Sequence, residues 1–170
     1  MNISRVMKHL STGRASVRRI FPPRTLDAIE NAIREAEATH SGQIRFAVEA
    51  SLELMPLLAG QTARQRALEV FSKLRVWDTE RNNGVLIYLL LADRDVEIIA
   101  DRGVHAKLGQ VVWETICRQM ETAFRAGKFE EGVLAGIHSV GGHLTRHYPH
   151  NGGTGAAEKI NELPDRPELL

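Results

Sequence analysis

This sequence has few of the residues that mark specialised protein classes. Its single cysteine, Cys117, excludes an internal disulfide and is typical of a reducing compartment. Cys117 lies in an apolar helical pattern, which predicts a buried, inert thiol. No apolar run approaches the roughly 18 residues needed to cross a bilayer. The N-terminus also lacks the apolar stretch and cleavage site of a signal peptide. We therefore expect a cytoplasmic protein.

The charges are balanced overall but unevenly placed. The net charge of +1, without a basic motif interleaved with aromatics, argues against a nucleic-acid partner. Residues 1–26 hold six of the 22 basic residues and none of the 21 acidic ones. Apolar residues in this segment recur at helical spacing: Ile3, Val6, Met7 and Leu10. Residues 1–20 are therefore expected either to make a peripheral membrane or protein contact as an amphipathic helix, or to dock on the domain as a basic arm.

The hydrophobic pattern predicts alternating helices and strands after the Phe21-Pro22-Pro23 boundary. Helices are expected at about 24–39, 62–75, 108–125 and 130–147, and strands at about 43–50, 85–91 and 96–100. The strand-helix-strand order predicts a parallel crossover, and the four-residue turn between the last two strands predicts an antiparallel hairpin. The fold class is therefore α/β, with a small mixed sheet of three or four strands flanked by about four helices.

One domain is expected at residues 23–149. A basic arm or short amphipathic helix precedes it at residues 1–22, and a flexible C-terminal tail follows at residues 150–170. Asn151 to Gly155 is expected to be a flexible linker and not a phosphate loop, because no strand precedes it and no Lys-Ser/Thr follows. The sequence leaves open whether the last ten residues dock on the domain or stay mobile.

Polar residues occupy the two loops that flank the expected hairpin. They are Asp78, Asn82 and Asn83 before its first strand and Asp101, Arg102 and His105 after its second. Because a hairpin returns the chain to the edge it left, these groups are expected to converge. Carboxylate and amide oxygens suit Ca²⁺ or Mg²⁺, so Asp78 and Asp101 are candidate metal ligands, with one of these cations as cofactor. Asn82, Asn83, Arg102 and His105 are candidate ligand- or anion-binding residues.

The same residues also have a structural interpretation. Asp78 and Asn82 can cap a loop, and Asn83-Gly84 can supply left-handed backbone geometry. The sequence has no nucleophile elbow, Walker motif or dinucleotide fingerprint, so no catalytic residue is assigned.

Two further polar groups have simpler interpretations. Asp93-Arg94-Asp95 forms the hairpin tip and predicts a solvated turn, because a calcium loop needs more acidic positions. His143 and His147 lie four residues apart on one helix face. That spacing suits a transition metal, but cationic imidazoles near a helix C-terminus also interact favourably with the helix dipole.

Four segments together indicate a family: Trp77-Asp78-Thr79, Asn82 to Ile87, Asp93-Arg94-Asp95 and Phe129-Glu130-Glu131-Gly132. Through them the chain from about Gln43 to Tyr148 resembles the TPM domain family, which includes thylakoid-lumen and photosystem-repair proteins and many bacterial relatives. The resemblance implies an αβα sandwich. It also implies phosphatase-like activity and binding of calcium or another divalent metal, because both have been attributed to members.

The chain departs from the family pattern in two ways. Most relatives are exported or membrane-anchored, and this chain shows neither signal. Relatives often carry a Gly-Tyr-Gly type segment after the third strand, where this chain has Asp101 to His105. Arg102 in that segment suits an anionic ligand better than a metal.

Three functions are consistent with the sequence. The first is a binding or accessory module that uses the polar loops and an unidentified protein partner. The second is a weak, metal-assisted phosphatase with Asp78 and Asp101 as ligands and Arg102 holding phosphate. The third is a membrane-associated protein that makes contact through residues 1–20. Whether the protein is an enzyme is left open by the sequence.

Overall fold

The computed structural model describes residues 3–149 and 161–170. The linker expected at Asn151 to Gly155 lies outside these ranges. Within them the chain forms eight helices and four strands. The helices are α1 (Ile3–Ser11), α2 (Arg14–Ile20), α3 (Pro23–Glu37), α4 (Leu54–Leu58), α5 (Ala63–Lys73), α6 (Arg102–Leu108), α7 (Gln110–Arg125) and α8 (Phe129–His147). The strands are β1 (Gln43–Glu49), β2 (Gly84–Leu90), β3 (Asp95–Ala100) and β4 (Glu168–Leu169).

The strands form one mixed sheet in the order β3-β2-β1-β4. β1 runs parallel to β2 and to β4, and β2 pairs with β3 as an antiparallel hairpin. Every residue of β1 and β2 is buried, so both faces of the sheet are covered. The expected α/β sandwich with a mixed sheet is confirmed.

Alternate residues of the central strands face two hydrophobic cores. Phe46 and Ile87 belong to the larger core, which α3, α7 and α8 cover. Leu86 belongs to the smaller core beneath α5. Gly136 lets α8 pack closely on α7, because a Cβ at this position would overlap Met120 Sδ and force that side chain to move.

The four long helices that the pattern predicts are present, but the one expected at 108–125 is preceded by a separate short helix. α6 and α7 meet at Gly109, whose φ of 74° lies in the left-handed region and interrupts the helix. Thr62 caps α5, since its side chain accepts a hydrogen bond from the Gln65 N–H in a capping box. The sequence does not predict α2 or α4, because helices of seven and five residues are too short to show a period.

The N-terminal segment is both helical and docked on the domain. His9 on α1 is buried, and Val17 on α2 and Phe21 after it belong to the larger core. Removal of residues 1–20 would therefore take away core side chains as well as surface charge.

The last ten residues also dock on the domain, and β4 adds a fourth strand to the sheet. The Arg45 side chain donates hydrogen bonds to the carbonyl oxygens of Pro164 and Arg166. Gln43 Oε1 accepts a hydrogen bond from the Leu163 N–H at 3.0 Å. Of the helices in the described ranges, none is both long and apolar enough to cross a bilayer.

Candidate functional site

The two polar loops meet at the amino ends of the parallel strands β1 and β2. The Asp101 N–H donates to the carbonyl oxygen of Gly84 at 2.9 Å. Arg102 Nε and Nη2 both lie 3.3 Å from Asn82 Oδ1. The backbone of Gly103 packs so closely on Asn82 that a Cβ there would lie 2.5 Å from the Asn82 carbonyl oxygen. The convergence that the hairpin predicts is therefore present.

Most of these polar groups hold the backbone of the loops. Asn83 Nδ2 donates to the Ser41 carbonyl oxygen at 2.9 Å, and its backbone N–H donates to Thr79 Oγ1 at 3.0 Å. Asp101 accepts a hydrogen bond from the Arg102 N–H at 2.7 Å and caps α6. Asn82 has a φ of 49°, a left-handed geometry that asparagine tolerates well. The structural interpretation thus has direct geometric support for Asn82, Asn83 and Asp101, but the left-handed backbone expected at Asn83-Gly84 occurs instead at Asn82.

Whether these loops can bind a divalent cation depends on the oxygen atoms that the structural hydrogen bonds leave without a partner. Within the described residues, two buried oxygens at this site have no hydrogen-bond partner, Asn83 Oδ1 and Asp101 Oδ2. Calcium takes six to eight oxygen ligands. Asp78 is exposed, and residues 3–149 and 161–170 contain no group of three or more His, Cys, Asp or Glu side chains that could hold a metal ion. These side chains therefore do not fit a protein-built calcium site, and metal ligation by Asp78 and Asp101 stays a prediction.

The remaining candidates lie at the periphery of this site. His105 is exposed on α6, and its backbone N–H donates to the Asp101 carbonyl oxygen at 2.8 Å. Burial, together with the neighbouring Arg146 and His147, lowers the pKa of His143. A lowered pKa favours the neutral imidazole that a metal would need, but no metal-binding group includes it among the described residues.

The hairpin tip, at the other end of the sheet, holds α1 in place. Asp93 Oδ2 lies 2.9 Å from Arg5 Nε and 3.1 Å from His9 Nε2. His9 Nδ1 accepts a hydrogen bond from the Leu52 N–H at 3.0 Å. His9 Nδ1 is therefore the acceptor nitrogen of the ring, and Nε2 lies within ion-pair distance of Asp93 without making a hydrogen bond to any described residue. The prediction of a solvated turn is wrong for Asp93, because the docked α1 covers it.

The outward side of α1 is apolar and exposed. Ile3, Met7 and Leu10 have relative exposures of 68%, 61% and 67%, and their spacing places them along one helix face. α4 adds three exposed apolar side chains, Leu54, Met55 and Leu58. The contact of His9 with Leu52, and of Arg5 with the Gln61 carbonyl oxygen at 3.0 Å, places α1 beside the ends of the α4 segment. We call these six side chains the α1–α4 apolar face.

The sequence pattern predicts only half of this face. The helical spacing of the α1 residues is visible in the sequence, whereas Leu54 to Leu58 lie between the strand predicted at 43–50 and the helix predicted at 62–75, where no helix is predicted. The run Leu52-Glu53-Leu54-Met55-Pro56-Leu57-Leu58 was the available signal, since apolar residues are unusual in a loop.

Comparisons with known proteins agree with this architecture. The family model of the TPM domain matches residues 17–143. The NMR structure of the BA42 protein from the psychrophilic bacterium Bizionia argentinensis is 30% identical, with a TM-score of 0.73 over 86% of this chain and 93% of that one. The N-terminal domain of a P. gingivalis protein shares the fold at 19% identity and a TM-score of 0.62, over 77% of this chain and 82% of that one. No curated protein matches. By its sequence and its fold, this chain belongs to the TPM domain family.

Proposed function

We propose that this TPM domain protein is a binding module that attaches to anionic membrane surfaces through the α1–α4 apolar face. The observation that carries the proposal is the orientation of α1. Arg5 and His9 fix its inward side to the domain, and this orientation keeps Ile3, Met7 and Leu10 exposed to solvent. Contiguous exposed apolar patches on soluble proteins mark interaction surfaces.

The charge around this face favours an anionic lipid surface over a protein partner. The first 26 residues carry six basic and no acidic side chains. Lys8, Arg14 and Arg18 on the first two helices are exposed. An interfacial helix combines an apolar side that enters the headgroup region with basic residues that contact anionic lipids.

Typical free energies indicate whether apolar burial or charge contributes more to membrane binding. Full burial of an Ile, Leu or Met side chain contributes roughly 1.5–3 kcal/mol. A Lys or Arg near an anionic surface contributes about 1 kcal/mol. Partial insertion of several apolar side chains is therefore expected to supply most of the binding free energy, while the basic residues select anionic lipid and orient the protein.

The test is co-sedimentation with vesicles of phosphatidylcholine with and without phosphatidylglycerol. Wild-type protein is expected to bind the anionic vesicles, and Met7→Glu/Leu10→Glu is expected to abolish binding. The matched control is Leu68→Glu/Val111→Glu, which adds the same charge at two exposed apolar positions on α5 and α7. This control should bind as wild type does.

Two results would contradict the proposal. Wild-type protein that binds neither vesicle would leave the α1–α4 apolar face to a protein partner. If both double variants lost vesicle binding equally, the added negative charge alone would explain the loss. Deletion of residues 1–20 is a poorer test, because it also removes Val17 from the larger core.

The other two functions have weaker support. Binding at the polar loops competes with the structural hydrogen bonds of Asn83 and Asp101. Metal-assisted phosphatase activity needs ligands beyond the two partnerless oxygens. Both remain hypotheses.

A further inference from the structure

A cavity of about 640 Å³ lies at the carboxyl end of β2, at the opposite end of the sheet from the polar loops. Its walls come from the end of α1, from α2, from the hairpin turn and from the junction between α7 and α8. Ligands of open α/β sheets commonly bind outside the carboxyl ends of the strands. The volume lies within the range of pockets for small molecules.

Positive charge dominates this cavity. Four cationic side chains line it, namely Lys8, Arg19, Arg94 and Arg125. Asp93 is the one carboxylate among the described lining residues, and it is already paired with Arg5 and His9. The cavity therefore carries a surplus of positive charge that its own carboxylate does not neutralise.

The cations are available to a ligand. In the described part of the chain, Lys8, Arg19 and Arg94 take part in none of the ion pairs. Arg125 lies 3.9 Å from Glu121 at an exposed position, a contact worth a few tenths of a kcal/mol. Arginine guanidinium groups bind phosphate in a paired, planar geometry. Thr12 and Ser16 add hydroxyl groups to the wall.

We propose that this cavity binds a small molecule that carries at least two phosphate groups. Four cations around one cavity exceed what a single phosphate needs. Ile20 and Phe129 provide an apolar wall for the rest of the ligand. A neighbouring cavity of about 500 Å³ shares Arg19, Ile20 and Phe129, and its lining mixes basic residues with Glu130 and Glu131.

The site is distinct from the polar loops and goes beyond the proposed membrane function. Lys8, Thr12 and Ser16 precede residue 17, where the match to the family model begins. The cavity is therefore completed by a part of the chain outside the matched range.

Isothermal titration calorimetry with inorganic pyrophosphate tests the site at an ionic strength of about 0.15 M, where surface charges are screened. Wild-type protein is expected to bind pyrophosphate, and Arg19→Gln/Arg125→Gln is expected to bind it at least about tenfold more weakly. The matched control, Arg75→Gln/Arg146→Gln, removes two exposed positive charges elsewhere and should change the affinity less than about twofold. Circular dichroism confirms that the variants fold.

A second arm separates a soluble ligand from a lipid headgroup. Phosphatidylcholine vesicles that contain a phosphatidylinositol bisphosphate present two phosphate monoesters on a membrane. Pyrophosphate binding supports a soluble ligand. Vesicle binding without pyrophosphate binding, lost in Arg19→Gln/Arg125→Gln, supports a headgroup. The proposal is overturned if neither probe binds, or if the control double variant weakens binding equally.

A neutral variant, Met7→Gln/Leu10→Gln, separates the two proposals, because it removes two apolar side chains of α1 without adding negative charge beside Lys8. It should lose attachment to phosphatidylglycerol vesicles and keep the wild-type affinity for pyrophosphate. Wild-type protein that attaches to phosphatidylglycerol vesicles but binds neither phosphate probe would contradict only the cavity proposal. Wild-type protein that binds pyrophosphate but does not attach to these vesicles would contradict only the membrane proposal.

Discussion

Arg66 on α5 donates one hydrogen bond to each carboxylate oxygen of Glu49 on β1, from Nε and from Nη2, both at 2.9 Å. The Tyr88 hydroxyl on β2 donates to Glu49 Oε2 at 2.6 Å. Burial, and then the contact with Glu49, raises the pKa of Tyr88, which keeps the phenol a neutral donor. The three side chains join α5 to two strands across the smaller core.

Replacement of Arg66 tests this connection. Arg66→Ala is expected to lower the free energy of unfolding by about 2–3 kcal/mol, because the buried Glu49 carboxylate would keep only Tyr88 as a partner. Arg66→Lys keeps the charge without the paired geometry and should give an intermediate loss. Urea unfolding followed by circular dichroism measures both.

The control for this prediction lies on the same helix. Arg64 pairs with Glu97 at 3.1 Å at an exposed position, so Arg64→Ala should cost less than about 1 kcal/mol. If Arg64→Ala and Arg66→Ala lowered stability equally, the paired contact with Glu49 would have no special stabilising role.

Asp95 at the start of β3 should make stability depend on pH. Burial, with Glu97, Glu121 and Asp93 nearby, raises the pKa of Asp95 to about 6. An unfolded aspartate titrates near 3.9. Between these two values the folded state binds more protons than the unfolded state, so the free energy of unfolding falls as pH rises from about 4 to about 6.

Asp95→Asn removes this dependence, because asparagine stays neutral. Above about pH 6 the variant should be more stable than wild type by roughly 1–2 kcal/mol, a value reduced for the partial exposure of the group. The gain should disappear below about pH 4. Thermal unfolding across this range measures it, with the exposed Asp27→Asn as control. A gain that is constant with pH would show that titration of Asp95 is not its cause.

The polar loops make a third prediction, about Asp101. In chelator-treated protein, Asp101→Ala should lower stability by about 1 kcal/mol through loss of the α6 cap. Asp78 is exposed, so Asp78→Ala should change stability by less than about 0.5 kcal/mol. Thermal unfolding gives both values.

Addition of Ca²⁺ or Mg²⁺ in the same assay decides the metal hypothesis. A ligand at a hundred times its Kd adds about 2.7 kcal/mol to the stability of the folded state. A metal-dependent rise in wild-type Tm that both variants lose would establish Asp78 and Asp101 as ligands. A rise that survives both substitutions would place the metal elsewhere.

These cases show what the sequence can predict. The β2–β3 hairpin and the long helices have local periods, so their patterns alone identify them. The hairpin pattern predicts that Asn82 and Arg102 lie close together. It does not predict what the polar residues of the loops do, because Asp and Asn serve equally as caps and as metal ligands.

The remaining features depend on contacts between distant parts of the chain. The pairing of Asp93 with His9 joins residues more than 80 positions apart, and no sequence pattern near either residue predicts it. The basic cavity likewise combines α1, α2, the hairpin turn and the end of α7. Such a site becomes visible only once the tertiary packing of the N-terminal helices is known.

The docked C-terminal segment makes the last prediction. Arg45 on β1 donates to the carbonyl oxygens of Pro164 and Arg166, and Arg45 Nη2 lies 3.2 Å from Glu168 Oε2. Burial lowers the pKa of Arg45, so the guanidinium is a desolvated donor that needs these acceptors. Arg45→Met should release residues 161–170 and uncover the edge of β1.

Hydrogen exchange with mass spectrometry measures this release. Amides of residues 161–170 should exchange much faster in Arg45→Met, and so should the Leu170 N–H, which donates to the Val48 carbonyl oxygen at 3.0 Å. The control is Arg166→Met, which removes exposed contacts with Glu30 at 3.3 Å and with Asp27 at 4.0 Å and should leave exchange nearly unchanged. If Arg45→Met left the segment protected, β-pairing and the burial of Leu163 would be sufficient to hold it, and Arg45 would contribute only local stability. Faster exchange confined to this segment would instead show that a single side chain on β1 keeps the fourth strand in the sheet.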